Sequence, residues 1–216
     1  MKIAELFNTV LDAVLPRRHR TVRTALLQSG DLPLSPTSHS LLGTTITTLM
    51  EYGNESVSDT IQSLKYDGAG HAAHLCAAVL ADYLREEIAS HKLYSQKPIV
   101  LVPVPLHKAR ARERGFNQIE LVLAALPKDF KDGTLSRINT KALSRTRETK
   151  QQTRLSRSER LGNVAGAFEV QGADTVRGSY IYLIDDVTTT GATLVNAGTP
   201  LRRAGATVSL IALARA

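Results

Sequence analysis

Nine consecutive residues combine carboxylates, hydroxyls and glycine in a pattern that could bind a phosphorylated sugar. Residues 185–193 read Asp-Asp-Val-Thr-Thr-Thr-Gly-Ala-Thr and follow the apolar run 180–184, Tyr-Ile-Tyr-Leu-Ile. The pattern predicts a buried strand that ends in two carboxylates, followed by a turn that opens a helix. Backbone N–H groups of such a turn, together with the partial positive charge of a helix N-terminus, favour a phosphate.

The two carboxylates suit the sugar rather than the phosphate, because like charges repel. Asp185 and Asp186 can accept hydrogen bonds from sugar hydroxyls and lie near a divalent cation. A simpler interpretation is an ordinary turn in which one Asp or Thr caps a helix. A cap needs one such residue, whereas here acids, hydroxyls and glycine occupy consecutive positions.

This segment resembles the phosphoribosyl-pyrophosphate (PRPP) motif of type I phosphoribosyltransferases. The resemblance implies that Asp185 and Asp186 face the ribose 2′ and 3′ hydroxyls and are the catalytic acids. It also implies Mg²⁺ held mainly through PRPP, with both aspartates nearby. The residues that would bind the 5′-phosphate are Thr188, Thr189, Thr190, Gly191, Ala192 and Thr193.

A second feature is an arginine-rich segment that follows another apolar run. Residues 98–105 predict a central parallel strand whose prolines force an exit, and Lys108, Arg110, Arg112 and Arg114 come next. Arginine offers planar donors that match pyrophosphate oxygens. The row could hold a leaving pyrophosphate, or it could be a solvated surface.

The third feature is a long polar segment, 145–168, which contains Arg145, Arg147 and Lys150. Its charge and its few apolar residues predict a mobile segment that could close over an anion. A linker without fixed structure is the alternative. Upstream, Lys65 could reach a phosphate or could cap the turn before Gly68.

These segments in this order resemble the ComF family, the competence-associated branch of the phosphoribosyltransferase superfamily. The matching motifs are Pro-Val-Pro-Leu (103–106), Arg-Gly-Phe-Asn-Gln (114–118), Arg-x-x-x-Thr-x-x-Gln-x-x-Leu (145–155), Arg-x-x-Asn (160–163) and residues 185–193. Lys-Tyr-x-Gly (65–68) matches a further family element. The resemblance runs from about Tyr52 to the last residue.

The amino-terminal quarter departs from that family. ComF proteins commonly carry a small cysteine-ligated zinc module there, whereas the single cysteine of this chain is Cys76. His71 and His74 lie three apart on a predicted helix, but two ligands do not make a zinc site. We therefore expect no zinc, no internal disulfide and a buried Cys76.

Alternating apolar runs and helical patterns predict an α/β protein with a mostly parallel central sheet in three layers. We expect helices near 71–88, 117–126 and 191–204, and strands near 44–52 and 206–213. A hairpin turn is expected at Gly53-Asn54. The resemblance implies the type I phosphoribosyltransferase fold, with an amino-terminal helix and hood-like appendage in 1–60, lacking the zinc module, and the catalytic-type domain in 61–216.

The positive charge of the chain is concentrated in one region. The net charge is +7, and residues 107–160 contain 14 Lys or Arg against 6 Asp or Glu. This excess could face solvent, a polyanionic ligand such as pyrophosphate, or nucleic acid. No run of eighteen apolar residues occurs, and Glu5 and Asp12 make the amino terminus a poor secretory signal. We expect a soluble, cytoplasmic protein without a membrane span, and a homodimer is one of the oligomeric states left open.

Two functions follow from the resemblance. The first is Mg-dependent transfer of phosphoribosyl from PRPP to an unknown acceptor with release of pyrophosphate, as in nucleotide metabolism; this is a pentosyltransferase. The second is a non-catalytic PRPP sensor in DNA uptake that contacts single-stranded DNA or a translocation partner. A regulator without catalysis is a weaker third hypothesis, because no helix-turn-helix pattern is evident.

Overall fold

A six-stranded, mostly parallel sheet forms the centre of this computed structural model. The structure describes residues 17–66, 69–146 and 166–216, apart from the side chains of 17–21 and 108–109. The strand order is β1-β2-β8-β7-β3-β4. Among the described residues, β1 and β2 form the only antiparallel pair of this sheet, and its other four pairs are parallel. The predicted α/β class and the mostly parallel sheet are confirmed.

The elements follow one another as strands with intervening helices. The strands are β1 (Thr37–Leu41), β2 (Thr44–Glu51), β3 (Ile99–Pro103), β4 (Arg137–Ile138), β5 (Leu143–Arg145), β6 (Phe168–Val170), β7 (Tyr180–Thr188) and β8 (Thr207–Arg215). The helices are α1 (Arg17–Leu26), α2 (Glu55–Tyr66), α3 (Gly70–Tyr94), α4 (Lys108–Arg114), α5 (Gln118–Ala125) and α6 (Ala192–Arg203). Strands β5 and β6 form a separate antiparallel pair.

Apolar side chains cover both faces of the central sheet, which explains the continuous apolar runs in the sequence. All five residues of β3 are buried. One buried cluster joins the sheet to α2, α3 and α5, and a second joins it to α6 and the β5–β6 pair. Helices predicted over 71–88, 117–126 and 191–204 correspond to α3, α5 and α6, and the strands predicted at 44–52 and 206–213 correspond to β2 and β8.

Strand β7 is longer than the apolar run that predicted it. Its pairing with β8 continues through Asp185↔Ala212 to Thr188↔Arg215. The strand was predicted to end in the two aspartates, whereas β7 continues past them to Thr188. Apolarity located the strand, but the last four residues are held by backbone pairing with β8, which a hydropathy pattern does not show.

The predicted hairpin turn at Gly53-Asn54 is wrong. The hairpin joins β1 to β2 through Leu42 and Gly43, which both have positive φ, 51° and 71°, as a two-residue hairpin turn requires. Asn54 instead accepts a hydrogen bond from the backbone N–H of Val57 and starts α2. Asn is as suited to capping a helix as to turning a hairpin, so its type alone did not decide between them.

The amino-terminal region is continuous with the main sheet. Strand β2 pairs in parallel with β8, from Ile46↔Leu210 to Glu51↔Arg215. Helix α1, which the sequence did not predict, packs on α2 and α3. The helix expected within the first sixteen residues lies outside the described residues. The predicted domain boundary at residue 60 stays a prediction.

Helix α1 is attached to α2 by a buried carboxylate. Asp59 is 3% exposed. Its Oδ2 accepts a hydrogen bond from Nε of Arg23 and lies 2.8 Å from Nη2 of the same side chain. Thr24 and Ser63 form a buried hydroxyl pair beside this contact. A buried charge requires a partner, because the desolvated carboxylate is otherwise uncompensated.

Replacing Arg23→Ala should therefore destabilise the protein by about 1–3 kcal/mol, the cost of leaving Asp59 without this cation. Urea unfolding measures the change. Arg203→Ala is the matched control, since Arg203 is exposed at the end of α6 and its loss should change the free energy of unfolding by less than about 1 kcal/mol. Equal losses in the two variants would contradict the role given to Asp59.

Candidate functional site

The candidate site lies where β3 and β7 separate. Their last paired residues are Pro103 and Ile184, and the N–H of Val104 donates to the carbonyl of Ile184 just beyond them. After this point β7 continues along β8 while β3 leads towards α4. Ligands of open parallel sheets bind in such crevices at the carboxyl ends of strands. Both aspartates of β7 lie at this edge.

Asp186 is held by side chains from two helices. Its Oδ2 lies 3.3 Å from Nζ of Lys65 on α2 and accepts a hydrogen bond from Nε2 of Gln118 on α5. Asp186 is 7% exposed. Burial alone would raise its pKa, but the Lys65 charge, the Gln118 hydrogen bond and the Val187 N–H outweigh burial and hold the pKa below its usual value. Asp186 is therefore a fixed negative charge.

Asp185 behaves differently from its neighbour. Side chains alternate between the two faces of a strand. The Cβ of Asp185 therefore points to the face covered by α6, whereas the Cβ of Asp186 points to the face covered by α2 and α5. The Oδ1 of Asp185 accepts a hydrogen bond from the backbone N–H of Asp186. Burial, reinforced by the Asp186 charge, raises the pKa of Asp185 to about 7. Asp185 is thus the carboxyl that changes charge near neutral pH.

Three of the predicted basic residues lie around the aspartates. Lys65 forms the ion pair with Asp186, which neither sequence-based alternative for Lys65 included. Arg114 donates to Oε1 of Gln118 at 3.3 Å, and its charge contributes to the low pKa of Asp186. Arg145 on β5 packs over the Phe168 ring, and its charge acts on Asp185.

The other predicted basic residues divide into two groups. Arg110 and Arg112 are exposed on α4. Arg110 is close enough to Arg145 for its charge to lower the Arg145 pKa, after the larger effect of burial. Arg147, Lys150 and the rest of the predicted mobile segment after Thr146 up to residue 165 lie outside the described residues, as does the Lys108 side chain.

Gln118 is a site residue that the sequence-based list of candidates missed. Gly115, with φ of 78°, turns the chain from α4 to α5. Asn117 then caps α5 by accepting from the Ile119 N–H, and donates Nδ2 to the carbonyl of Val104. These bonds fix the start of α5 against the end of β3 and direct Gln118 to Asp186. The sequence did show that Asn117 and Gln118 lie at the start of a predicted helix. It could not show that Gln118 contacts Asp186, which is 68 residues away.

The turn predicted to bind phosphate is shorter than the sequence segment suggested. Thr188 is the last residue of β7, and α6 begins at Ala192, so the turn itself is residues 189–191. Gly191 has φ of 83°, a conformation that favours glycine. A Cβ at Gly191 would lie 1.9 Å from Cδ1 of Ile46. Glycine is therefore needed here for backbone conformation and for packing against β2.

The carboxylates suit a cation that arrives with a phosphate ligand. Among the described residues no group of three His, Cys, Asp or Glu could hold a metal ion. Mg²⁺ commonly uses one or two carboxylates and completes its coordination with substrate phosphates and water. Asp185 and Asp186 fit that role, with Lys65 already balancing Asp186. Cys76 is a buried free thiol on α3, and burial raises its pKa to about 12.

Asp185→Asn should stabilise the protein, and the gain should grow with pH. The folded pKa of Asp185 is raised from 3.8 to about 7. The contribution of Asp185 to the free energy of unfolding therefore falls as pH rises between those two values and is constant at higher pH. Asparagine does not titrate. The variant should therefore gain roughly 1–3 kcal/mol at pH 8 and much less at pH 5.

Urea unfolding at pH 5, 6, 7 and 8 measures this gain. Asp82→Asn, at an exposed residue of α3, is the matched control and should show little pH dependence. A difference between Asp185→Asn and the wild type that shrinks as pH rises would show that Asp185 is not buried beside a second charge.

Similar proteins occur among competence and DNA-utilization proteins. The chain is 33% identical over 153 residues to "Competence protein ComFC" of Streptococcus pneumoniae, 33% over 141 residues to "Competence protein ComFC" of Bacillus subtilis and 36% over 121 residues to "DNA utilization protein YhgH" of Escherichia coli. These matches cover 71%, 65% and 56% of this chain.

The same matches cover 60%, 51% and 51% of the relatives, so the chain spans between half and three fifths of their length. No protein-family model matches the chain. Among the described helices, none combines the length and apolarity that a bilayer span needs. The resemblance to competence proteins is confirmed at this level: the chain is a sequence relative of ComFC and YhgH proteins.

Proposed function

We propose that this protein binds PRPP together with Mg²⁺ and transfers its phosphoribosyl group to an acceptor, with release of pyrophosphate. One observation carries the proposal. A single edge of the sheet holds two neighbouring aspartates, a Thr-Gly turn that opens α6, and three cationic side chains from separate elements. This combination can bind an anion at each end of a ribose and the hydroxyls between them. We further propose that the α/β architecture is the type I phosphoribosyltransferase fold.

The binding roles follow from charge. The turn at 189–191 and the first N–H groups of α6 would bind the 5′-phosphate, since a helix N-terminus favours an anion. Asp185 and Asp186 would accept hydrogen bonds from the ribose hydroxyls. Lys65 and Arg114 lie beside Asp186 and would bind the pyrophosphate, which carries the larger negative charge.

Catalysis would rest on stabilising separated charge. The bond between ribose C1 and the pyrophosphate oxygen breaks, the pyrophosphate takes the electron pair, and a bond forms between C1 and the acceptor, which loses a proton. Lys65 and Arg114 neutralise the charge that develops on the leaving group, and the aspartates face the electron-poor ribose. Magnesium, when bound with PRPP, would neutralise further pyrophosphate charge.

PRPP binding should depend on both aspartates and on magnesium. Calorimetric titration of PRPP should give binding with Mg²⁺ and much weaker binding without it. Asp185→Asn and Asp186→Asn should each weaken binding by about 10-fold to 100-fold, because each removes charged hydrogen-bond acceptors worth about 1.5–3 kcal/mol. Asp82→Asn should bind like the wild type. If Asp185→Asn combined with Asp186→Asn leaves the affinity unchanged, the assignment of the acids is wrong.

A second candidate is a non-catalytic accessory of DNA uptake that binds PRPP as a regulator and contacts single-stranded DNA or a translocation partner. The names of the relatives, competence protein and DNA utilization protein, favour it. So does the position of Arg110 and Arg112, which are exposed on α4 at the edge of the candidate site. Two exposed arginines on one short helix could contact consecutive phosphates.

Turnover and DNA binding separate the two functions. An enzyme should release pyrophosphate from PRPP and Mg²⁺ with at least one of a panel of bases and amines. An accessory should release none and should bind single-stranded DNA with a steep salt dependence. Arg110→Ala with Arg112→Ala should lower the salt slope by about 1 for each lost phosphate contact, whereas Arg85→Ala on α3 should not. Salt-independent DNA binding, or no binding, together with turnover would contradict the accessory role.

A further inference from the structure

The ring of Tyr66 lies beside the cationic side chains assigned above to pyrophosphate. Tyr66 is the last residue of α2 and directly follows Lys65, whose Nζ is 3.3 Å from Oδ2 of Asp186. Arg114 is the last residue of α4, and its Cζ lies over the Tyr66 ring, 5.5 Å from the ring centroid. The end of α2 therefore supplies one cation itself and contacts a second cation through the neighbouring ring.

The guanidinium of Arg114 is held by two contacts of different kinds. Its Nη1 donates a hydrogen bond to Oε1 of Gln118 at 3.3 Å, while its Cζ lies over the ring of Tyr66. Nε2 of the same glutamine donates to Asp186, so Gln118 is itself fixed. An arginine side chain has many rotamers when it is unconstrained, and ordering it costs conformational entropy. The two contacts restrict Arg114 to a place where its charge reaches Asp186.

An aromatic ring holds an arginine without neutralising it. The attraction acts between the positive charge and the electron-rich face of the ring, within about 6 Å of the ring centroid. A carboxylate in the same place would accept the N–H groups of the guanidinium and cancel its charge. A guanidinium has five N–H donors, and the bond to Gln118 uses one of them. Held by Tyr66, Arg114 can therefore still donate to two oxygens of a pyrophosphate.

We propose that Tyr66 is a positioning residue for the leaving pyrophosphate, because its ring holds the Arg114 guanidinium where that group contacts the pyrophosphate oxygens. The inference rests on the proposed function, since it needs pyrophosphate beside Lys65 and Arg114. It gives a role to the second residue of the Lys-Tyr-x-Gly element at 65–68. The ring rather than the hydroxyl carries this role, since the attraction belongs to the ring face. Binding of the 5′-phosphate in the turn at 189–191 would not depend on Tyr66.

The test titrates the full chain with PRPP and Mg²⁺ and, separately, with ribose 5-phosphate, which lacks the pyrophosphate. Tyr66→Leu should bind PRPP roughly 3-fold to 10-fold more weakly than the wild type, because the ligand must then order Arg114. Tyr66→Phe keeps the ring and should bind PRPP like the wild type. Neither variant should change the affinity for ribose 5-phosphate. Tyr94→Leu is the matched control, since Tyr94 is 89% exposed at the end of α3, and Tyr66 is itself 40% exposed, so that leucine there opens no core cavity.

A double-mutant cycle with Arg114 separates positioning from a direct contact between Tyr66 and the ligand. Arg114→Ala alone should weaken PRPP binding by about ten-fold or more, and adding Tyr66→Leu should then cause no further loss. Four results would each overturn the inference and leave the proposed function standing: Tyr66→Leu binds PRPP like the wild type, its loss persists beside Arg114→Ala, it loses ribose 5-phosphate equally, or Tyr66→Phe is as weak as Tyr66→Leu. Failure of the wild type to bind PRPP with Mg²⁺ at millimolar concentration would overturn both.

Discussion

The ion pair between Lys65 and Asp186 is the contact on which the arrangement of the site depends. It joins the end of α2 to the end of β7, and Gln118 adds α5 to the same carboxylate. A carboxylate that is 7% exposed cannot stay ionised without such partners. The pair therefore fixes three elements relative to one another at the edge where β3 and β7 separate. It also keeps Asp186 charged, and that charge raises the pKa of Asp185.

The pKa values of the two aspartates consequently shift in opposite directions although the residues are adjacent in sequence. The two side chains leave the strand on opposite faces. Lys65 lowers the pKa of both aspartates, while Arg114 adds to its effect on Asp186 and Arg145 adds a smaller effect on Asp185. Ionised Asp185 lowers the stability of the fold, because it is partly buried beside another negative charge. Under the proposed function, a ligand that brings a cation would offset this unfavourable charge. The free energy lost from folding at Asp185 would then favour binding of that ligand.

The sequence was most informative where a local pattern determines the structure. Apolar runs located β3 and β7, and the helical periodicity located α3, because burial of one face requires those patterns. It was least informative where two distant segments meet. The extension of β7 depends on β8, the contact of Gln118 depends on Asp186, and the packing of the turn at Gly191 depends on a hairpin near the start of the described residues. Residue types indicated which side chains could take part in a site, but only the fold showed which of them contact one another.

The hairpin of β1 and β2 shows how a segment without a motif can still shape a site. Strand β2 pairs with β8, so its position relative to the turn at 189–191 is set by the backbone of the central sheet. Ile46 then occupies the space beside Gly191, which explains why the turn requires glycine even before any ligand is considered. Because His39 faces Ile46 across the hairpin, its ring is placed by the same pairing. A change in the register of β1 by one residue would move that ring to the other face of the sheet. The sequence between 37 and 51 is therefore constrained through alternation and register rather than through a recognisable pattern.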